Sequence, residues 1–80
     1  MKLIEALIIA QQEFGIDGDW RATHDSGCSI GRTPRGVYLA FAPPVISQSD
    51  RLETVLSDFA ESYPKEVLDD QWKVSRYEQS

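Results

Sequence analysis

The sequence predicts a small α+β domain in which two amphipathic helices cover one face of an antiparallel sheet. Residues 3–14 and residues 52–63 each carry apolar side chains at helical spacing. Between them, residues 19–42 alternate in polarity with a period of two and are divided by glycine-containing turns, which is typical of a three-stranded antiparallel meander. Eighty residues are the size of one domain, so we expect residues 1–80 to fold as a unit.

The first helix is predicted over residues 2–14. Its apolar positions recur at intervals of three and four, so they share one face of a helix. This stripe consists of Leu3, Leu7, Ala10 and Phe14, and it is widened by Ile4 and Ile8. Gly15 follows at the position where a helix end favours a left-handed residue. Ile9 lies off the stripe and is available to a second element or a second subunit.

The meander is predicted to contain strands at residues 20–24, 28–30 and 37–42. The side chains expected to face inward from the first two strands are Trp20, Ala22, His24, Cys28 and Ile30. The third strand is apolar on both faces, which favours an internal position in the sheet. Residues 43–44 are both proline, and we expect them to end this strand because proline cannot donate to a β-ladder.

The second helix is predicted to begin near Ser47 and to end at Tyr63. Ser47 precedes Asp50 by three residues, which resembles a capping box at a helix N-terminus. Pro64 ends this helix and can occupy the first position of another. Residues 65–70 are predicted as a short third helix or a turn, with Val67 and Leu68 facing inward.

The segment 71–78 is predicted as a fourth, C-terminal strand at an edge of the sheet. Trp72, Val74 and Arg76 alternate with more polar neighbours, which favours a strand. A continuing helix is the alternative, although its apolar stripe would be poorer.

Charge and cysteine usage restrict the function. The net charge is −5 and the sequence pI is about 4.6, which argues against direct nucleic-acid binding and favours a basic partner or simple solubility. A single cysteine excludes an intramolecular disulfide and a four-thiolate zinc site, and it is typical of a reducing cytoplasm. No cofactor motif and no metal-ligand spacing is evident. The apolar run over residues 3–10 is interrupted by Glu5 and is too short for a membrane span.

The stretch from His24 to Cys28 is the part of the chain with the most chemical character. It combines an imidazole, a carboxylate, a hydroxyl and a thiol within five residues. A cysteine nucleophile needs a base within hydrogen-bonding distance and a third group that orients the base. Asp and Gly at these positions are equally typical of a β-turn that leaves Cys28 as a small buried side chain. We favour the turn and therefore predict no catalytic residues.

Two charged groups and one aromatic residue are candidates for contacting a partner protein. The acidic candidates, all in the C-terminal third, are Glu53, Asp58, Glu61, Asp69 and Asp70. Solvated surface is the alternative interpretation of these acids. The remaining candidates are Arg32 and Arg35 in the glycine-rich loop at residues 31–36, and Tyr77 as an aromatic anchor.

As a compact acidic domain with one cysteine and no cofactor motif, the chain resembles the small phage-encoded anti-CRISPR proteins. The resemblance implies a non-enzymatic, stoichiometric inhibitor that acts in the cytoplasm of the host cell. Such an inhibitor would dock on a basic, DNA-binding surface of a CRISPR effector complex, as a monomer or homodimer, without membrane or direct nucleic-acid contact. An antitoxin-like or other protein-interaction module is the alternative function, and a small Cys/His enzyme is a further one.

Overall fold

The computed structural model describes residues 1–42 and 44–77 and has an α+β fold, as the sequence predicts. Its helices are α1 (Leu3–Phe14), α2 (Leu52–Ser62) and α3 (Pro64–Leu68). Its strands are β1 (Trp20–His24), β2 (Ser29–Arg32), β3 (Tyr38–Phe41), β4 (Val45–Ser49) and β5 (Trp72–Arg76). Within this described part of the chain, no helix is long and apolar enough to cross a membrane.

The five strands form one sheet in the order β4-β3-β2-β1-β5, and every neighbouring pair is antiparallel. Strands β1 to β3 are the predicted meander. Strand β5 is the predicted C-terminal strand, and it lies at an edge beside β1 with Ala22 opposite Val74. Position 78 of that predicted strand is outside the described residues.

The prediction that a helix begins at Ser47 was wrong, because residues 45–49 form strand β4 and α2 begins only at Leu52. Val45 and Ile46 are β-branched and suit a strand. The inward position of β4 is held by Ser47, whose buried hydroxyl donates to Asp58 on α2. A serine at an inward strand position leaves no apolar alternation to detect, so the capping-box pattern misled the prediction.

The core lies between one face of the sheet and the helices. Helix α1 lies over β1 and β5, α2 lies over β3 and β4, and α3 contacts both helices. The buried apolar side chains are Leu3, Ala6, Leu7, Ala10, Trp20, Ala22, Cys28, Ile30, Ala40, Val55, Phe59 and Trp72. Phe59 and Trp72 meet edge to face at 5.8 Å between ring centroids, so α2 and β5 pack directly.

Helix α1 is more apolar than its packing requires. Only Leu3, Ala6, Leu7 and Ala10 are buried, and Gly15 ends the helix with the predicted positive φ of +81°. The expectation that Ile4 and Ile8 widen the buried stripe was wrong, since their side chains are 59% and 51% exposed. Leu68 of α3, predicted to face inward, is 77% exposed. Ile4, Ile8 and Leu68 therefore lie outside the helix surfaces that pack into the core.

Candidate functional site

Charge is separated between the helices and the sheet. Helices α1 and α2 carry five acidic residues and no lysine or arginine, whereas the five strands carry four basic residues and no acidic one. The acidic residues are Glu5, Glu13, Glu53, Asp58 and Glu61, and the basic ones are Arg21, Arg32, Lys73 and Arg76. Helices α1 and α2 therefore carry only negative formal charge, while Lys2 and Arg51 lie at their N-caps and Lys65 lies on α3.

Glu53 lies in the first turn of α2, where the helix dipole stabilises a carboxylate. Its carboxylate is 3.0 Å from the guanidinium of Arg51, and both side chains are 70% exposed. A backbone hydrogen bond at Glu53, followed by the Arg51 side chain, lowers the pKa of this carboxyl. Glu53 thus has a local partner but stays accessible from solvent.

Asp58 has a structural role. Its Oδ2 accepts a 2.6 Å hydrogen bond from the hydroxyl of Ser47, and this bond ties α2 to the edge strand β4. Because Ser47 is buried, Asp58 satisfies a hydroxyl that would otherwise lack a partner. Asp58 is therefore the least suitable of the acidic candidates for an exchangeable contact.

Asp69 also has an internal partner. Its Oδ2 lies 2.9 Å from Nε2 of His24, the last residue of β1, which is 45 positions away in the chain. The His24 imidazole and then the backbone N–H of Asp70 lower the pKa of the Asp69 carboxyl. This contact fastens the connection between α3 and β5 to the end of β1, and the His24 ring also packs on Trp72 at 5.2 Å.

The hydrogen-bond network continues from His24 into the β1–β2 turn. The backbone N–H of Ser26 donates to Nδ1 of His24 at 3.0 Å, and the Ser26 hydroxyl oxygen lies 2.9 Å from the same nitrogen. That hydroxyl is also 3.3 Å from Sγ of Cys28. Since Nδ1 accepts from a backbone N–H, the neutral ring carries its proton on Nε2, directed at Asp69.

This network brings the histidine and cysteine of the sequence together, but through Ser26 and not by direct contact. Both ring nitrogens of His24 have partners inside the protein, and Cys28 is only 3% exposed. These hydrogen bonds hold the β1–β2 turn in place. The stretch forms the turn that the sequence predicts, with Cys28 buried behind it. Among residues 1–42 and 44–77, no three His, Cys, Asp or Glu side chains are grouped to hold a metal ion.

Glu61 and Asp70 are both exposed, and the Glu61 carboxylate has no hydrogen bond or ion pair among the described residues. The Asp70 side chain interacts with the neighbouring Asp69 carboxyl, and the N-terminal ammonium of Met1 donates to the Asp70 carbonyl. Glu61 lies in the last turn of α2, where the helix dipole favours a cation and disfavours a carboxylate. Its negative charge is therefore not explained by the stability of the helix.

The remaining candidates lie elsewhere on the molecule. Arg32 donates to the carbonyl of Gly18 at 3.0 Å, so it ties β2 to the α1–β1 connection. Arg35 is exposed at the β2–β3 turn, at the end of the sheet away from His24 and Asp69. The guanidinium of Arg21 lies over the ring of Tyr77, with its Cζ atom 4.6 Å from the ring centroid.

Tyr77 lies on the sheet face that the helices leave open. It lines a shallow depression of about 150 Å³ together with Arg21, Leu39, Phe41 and Val45. The predicted contacts thus lie on different sides of the protein, and they do not form a single surface.

The sequence did not predict an apolar groove on the helical side. It has a volume of about 470 Å³ and is lined by residues of α1, α2 and α3. Its lining side chains, of which Ile4 and Leu68 are exposed and Lys2 is the only charged one, are Lys2, Leu3, Ile4, Leu7, Leu56, Ala60, Val67 and Leu68. The signal in the sequence was the width of the α1 stripe, which exceeds what one sheet face can bury.

Comparison with known proteins returned no matching family model, no matching curated protein and no matching solved structure.

Proposed function

We propose that this protein is a non-enzymatic inhibitor of the anti-CRISPR kind. It binds a CRISPR effector complex and blocks the basic surface on which target DNA is received. The observation that carries the proposal is the one-sided charge of α1 and α2, which have five acidic residues and no basic one. A surface of this sign competes with nucleic acid for lysine and arginine side chains.

Glu61 and Asp70 form the centre of the proposed contact. Both residues are exposed, and the Glu61 carboxylate has no hydrogen bond or ion pair in the described part of the chain, while the Asp70 side chain has only the neighbouring Asp69 carboxyl beside it. Glu61 also sits where a carboxylate destabilises the helix, by roughly 0.3–1 kcal/mol for such a position. A residue that opposes local stability is more readily explained by a binding role than by folding.

Glu53 supports the contact at the other end of α2, where its carboxylate remains accessible beside Arg51. Asp58 and Asp69 contribute negative potential while they hold the fold together through Ser47 and His24. In this proposal their carboxylates are not released on binding.

The direct test measures target-DNA binding by purified effector complexes of several CRISPR types, with the protein added at equimolar concentration. We expect at least one complex to lose DNA binding, and the inhibition should weaken as salt rises from about 50 to about 300 mM. If no complex binds the protein, and capture from a host lysate returns a toxin or another protein, the anti-CRISPR proposal is wrong.

The double variant Glu61→Lys/Asp70→Lys tests the surface. We expect it to lower affinity for the inhibited complex about tenfold or more, equivalent to about 1.4 kcal/mol or more. The matched control is Asp17→Lys/Asp50→Lys, which makes the same change in net charge at exposed positions that lie outside α1 and α2. Equal losses in the two variants would show that overall charge, and not this surface, drives binding.

A further inference from the structure

The hydroxyl of Ser26 has the surroundings of an activated nucleophile. Ser26 is exposed in the β1–β2 turn, and its Oγ lies 2.9 Å from Nδ1 of His24, which is only 7% exposed. The other ring nitrogen, Nε2, lies 2.9 Å from Oδ2 of Asp69. A hydroxyl within hydrogen-bonding distance of a base, with the base oriented by a third group, is the arrangement on which nucleophilic catalysis depends.

The protons of this chain of contacts are placed as the chemistry requires. Because the backbone N–H of Ser26 donates to Nδ1 of His24, that nitrogen carries a lone pair, and Nε2 carries the proton directed at Asp69. The Cys28 Sγ, 3.3 Å from the Ser26 Oγ, is a weak acceptor, so Nδ1 is the better acceptor for the hydroxyl proton. Compared with the Ser-His-Asp triad of serine proteases the two ring nitrogens are exchanged, but each group keeps its role.

The turn does not need the hydroxyl for its own closure. Two backbone hydrogen bonds close it, from the N–H of Gly27 to the carbonyl of His24 and from the N–H of His24 to the carbonyl of Cys28, both at 2.9 Å. Asp25 and Gly27, the neighbours of Ser26, are exposed as well, so a reagent can reach the hydroxyl from solvent. Ser26 lines neither the groove nor the shallow depression, which favours a small reagent over an extended substrate.

We propose that Ser26 is a covalent modification site that takes one acyl group from an activated ester or thioester. The Ser26 Oγ attacks the carbonyl carbon, and its proton moves to Nδ1 of His24. The bond from the carbonyl carbon to the leaving oxygen or sulfur then breaks, and the leaving group takes the proton from His24. Asp69 is a positioning residue that holds the ring and stabilises the imidazolium while it exists. The inference goes beyond the proposed function and does not depend on it.

The test treats the wild-type protein with p-nitrophenyl acetate and follows acetylation of individual serines by peptide mass spectrometry. We expect Ser26 to be acetylated at least about tenfold faster than Ser57, because a positioned base accelerates the attack. Ser57 is a matched control within the same molecule, since it is exposed on α2 and its hydroxyl is not a partner of the chain's single histidine.

Variants assign the roles of the two partners. His24→Gln removes the base and should reduce the rate at Ser26 to that at Ser57. Asp69→Asn should lower the rate at Ser26 about tenfold or more, because a neutral amide does not stabilise the imidazolium. Asp69→Glu restores the negative charge and should react faster than Asp69→Asn. Asp25→Asn, which removes an exposed carboxylate from the same turn, should leave the rate within about twofold. Circular dichroism checks that each variant is folded.

Three results would overturn the inference. The first is equal acetylation of Ser26 and Ser57 in the wild-type protein, which does not depend on the folding of any variant. The second is an unchanged rate at Ser26 in folded His24→Gln, and the third is the same rate in Asp69→Asn as in Asp25→Asn. None of these measurements involves an effector complex, so a failure here leaves the inhibitor proposal standing, and a protein that inhibits no complex can still be acetylated at Ser26.

Discussion

Helices α1 and α2 cover adjacent parts of the same sheet face, yet they present different chemistry to solvent. Helix α1 exposes two isoleucines, Ile4 and Ile8. The exposed residues of α2 are all polar or charged and include Glu53, Asp58 and Glu61. Both helices thus carry negative charge, with Glu5 and Glu13 exposed on α1, but only α1 also carries apolar surface beyond what the core uses.

The difference shows that the packing of these helices on the sheet does not determine which side chains they expose to solvent. The buried positions of both helices are accounted for by contact with the sheet, whereas their exposed positions are not. The proposed inhibitory contact uses exposed charge, from Glu61 on α2 and from Asp70 between α3 and β5. Three experiments test which side chains hold the fold together and which are free for other contacts.

The largest effect is expected at neighbouring positions of α1. Leu7 is buried and Ile8 is 51% exposed. Leu7→Ala should lower the free energy of unfolding by roughly 2–5 kcal/mol, because it leaves a cavity in the core. Ile8→Ala should change it by less than about 0.5 kcal/mol, since an exposed side chain loses little and alanine favours a helix. Urea denaturation followed by circular dichroism measures both values. Similar losses in the two variants would show that Ile8 belongs to the core.

An intermediate effect is expected where α2 meets β4. Ser47→Ala removes the 2.6 Å hydrogen bond to Asp58 and should lower the free energy of unfolding by about 1 kcal/mol. Ser57→Ala, at an exposed position beside Asp58, is the matched control and should change it by less than about 0.5 kcal/mol.

A double-mutant cycle with Asp58→Ala completes this test. We expect the two single losses to be non-additive, because each substitution removes the same bond. Additive losses would mean that the hydroxyl and the carboxylate act independently, and Asp58 would again be a candidate for partner contact.

The smallest effect is expected from Asp69 and appears only in acid. Its folded-state pKa is held below the ordinary value of 3.8, chiefly by the His24 imidazole. The resulting stabilisation is therefore complete above pH 4 or so, and it is lost as the pH falls through the folded-state pKa. Thermal denaturation between about pH 5 and about pH 2 should show this loss in the wild-type protein.

Two variants check the assignment to Asp69. Asp69→Asn should remove this part of the acid dependence, whereas Asp70→Asn keeps the bond to His24 and should retain it. An unchanged acid dependence in Asp69→Asn would place its origin in another carboxylate.

The features predicted correctly from the sequence depend on local patterns. The bounds of α1 follow from its apolar spacing and Gly15, and strand β5 follows from the alternation around Trp72. Strand β4 was missed because its inward residue is Ser47, which is polar and is satisfied by a distant helix. No local pattern identifies an inward serine.

The candidate site was predicted less completely than the fold. The contact between His24 and Asp69 joins residues 45 positions apart, so no spacing rule reveals it. The groove depends on how far apart α1 and α2 are set on the sheet, which the apolar pattern of either helix alone does not determine. Glu61 and Asp70 were identified because charge is visible in the sequence, but their difference from Asp58 required the contacts.

The pairing of β5 with β1 has a consequence for how the chain acquires its fold during synthesis. Strands β1 to β4 follow one another directly in the chain. Strand β5 pairs with β1 although the two are about 50 positions apart, with His24 opposite Trp72. Until Trp72–Arg76 has been made, β1 is an open edge strand, and its unpaired N–H and C=O groups can pair with another nascent chain. Strand β5 therefore protects β1, which is synthesised about 50 residues before it, from pairing with other chains.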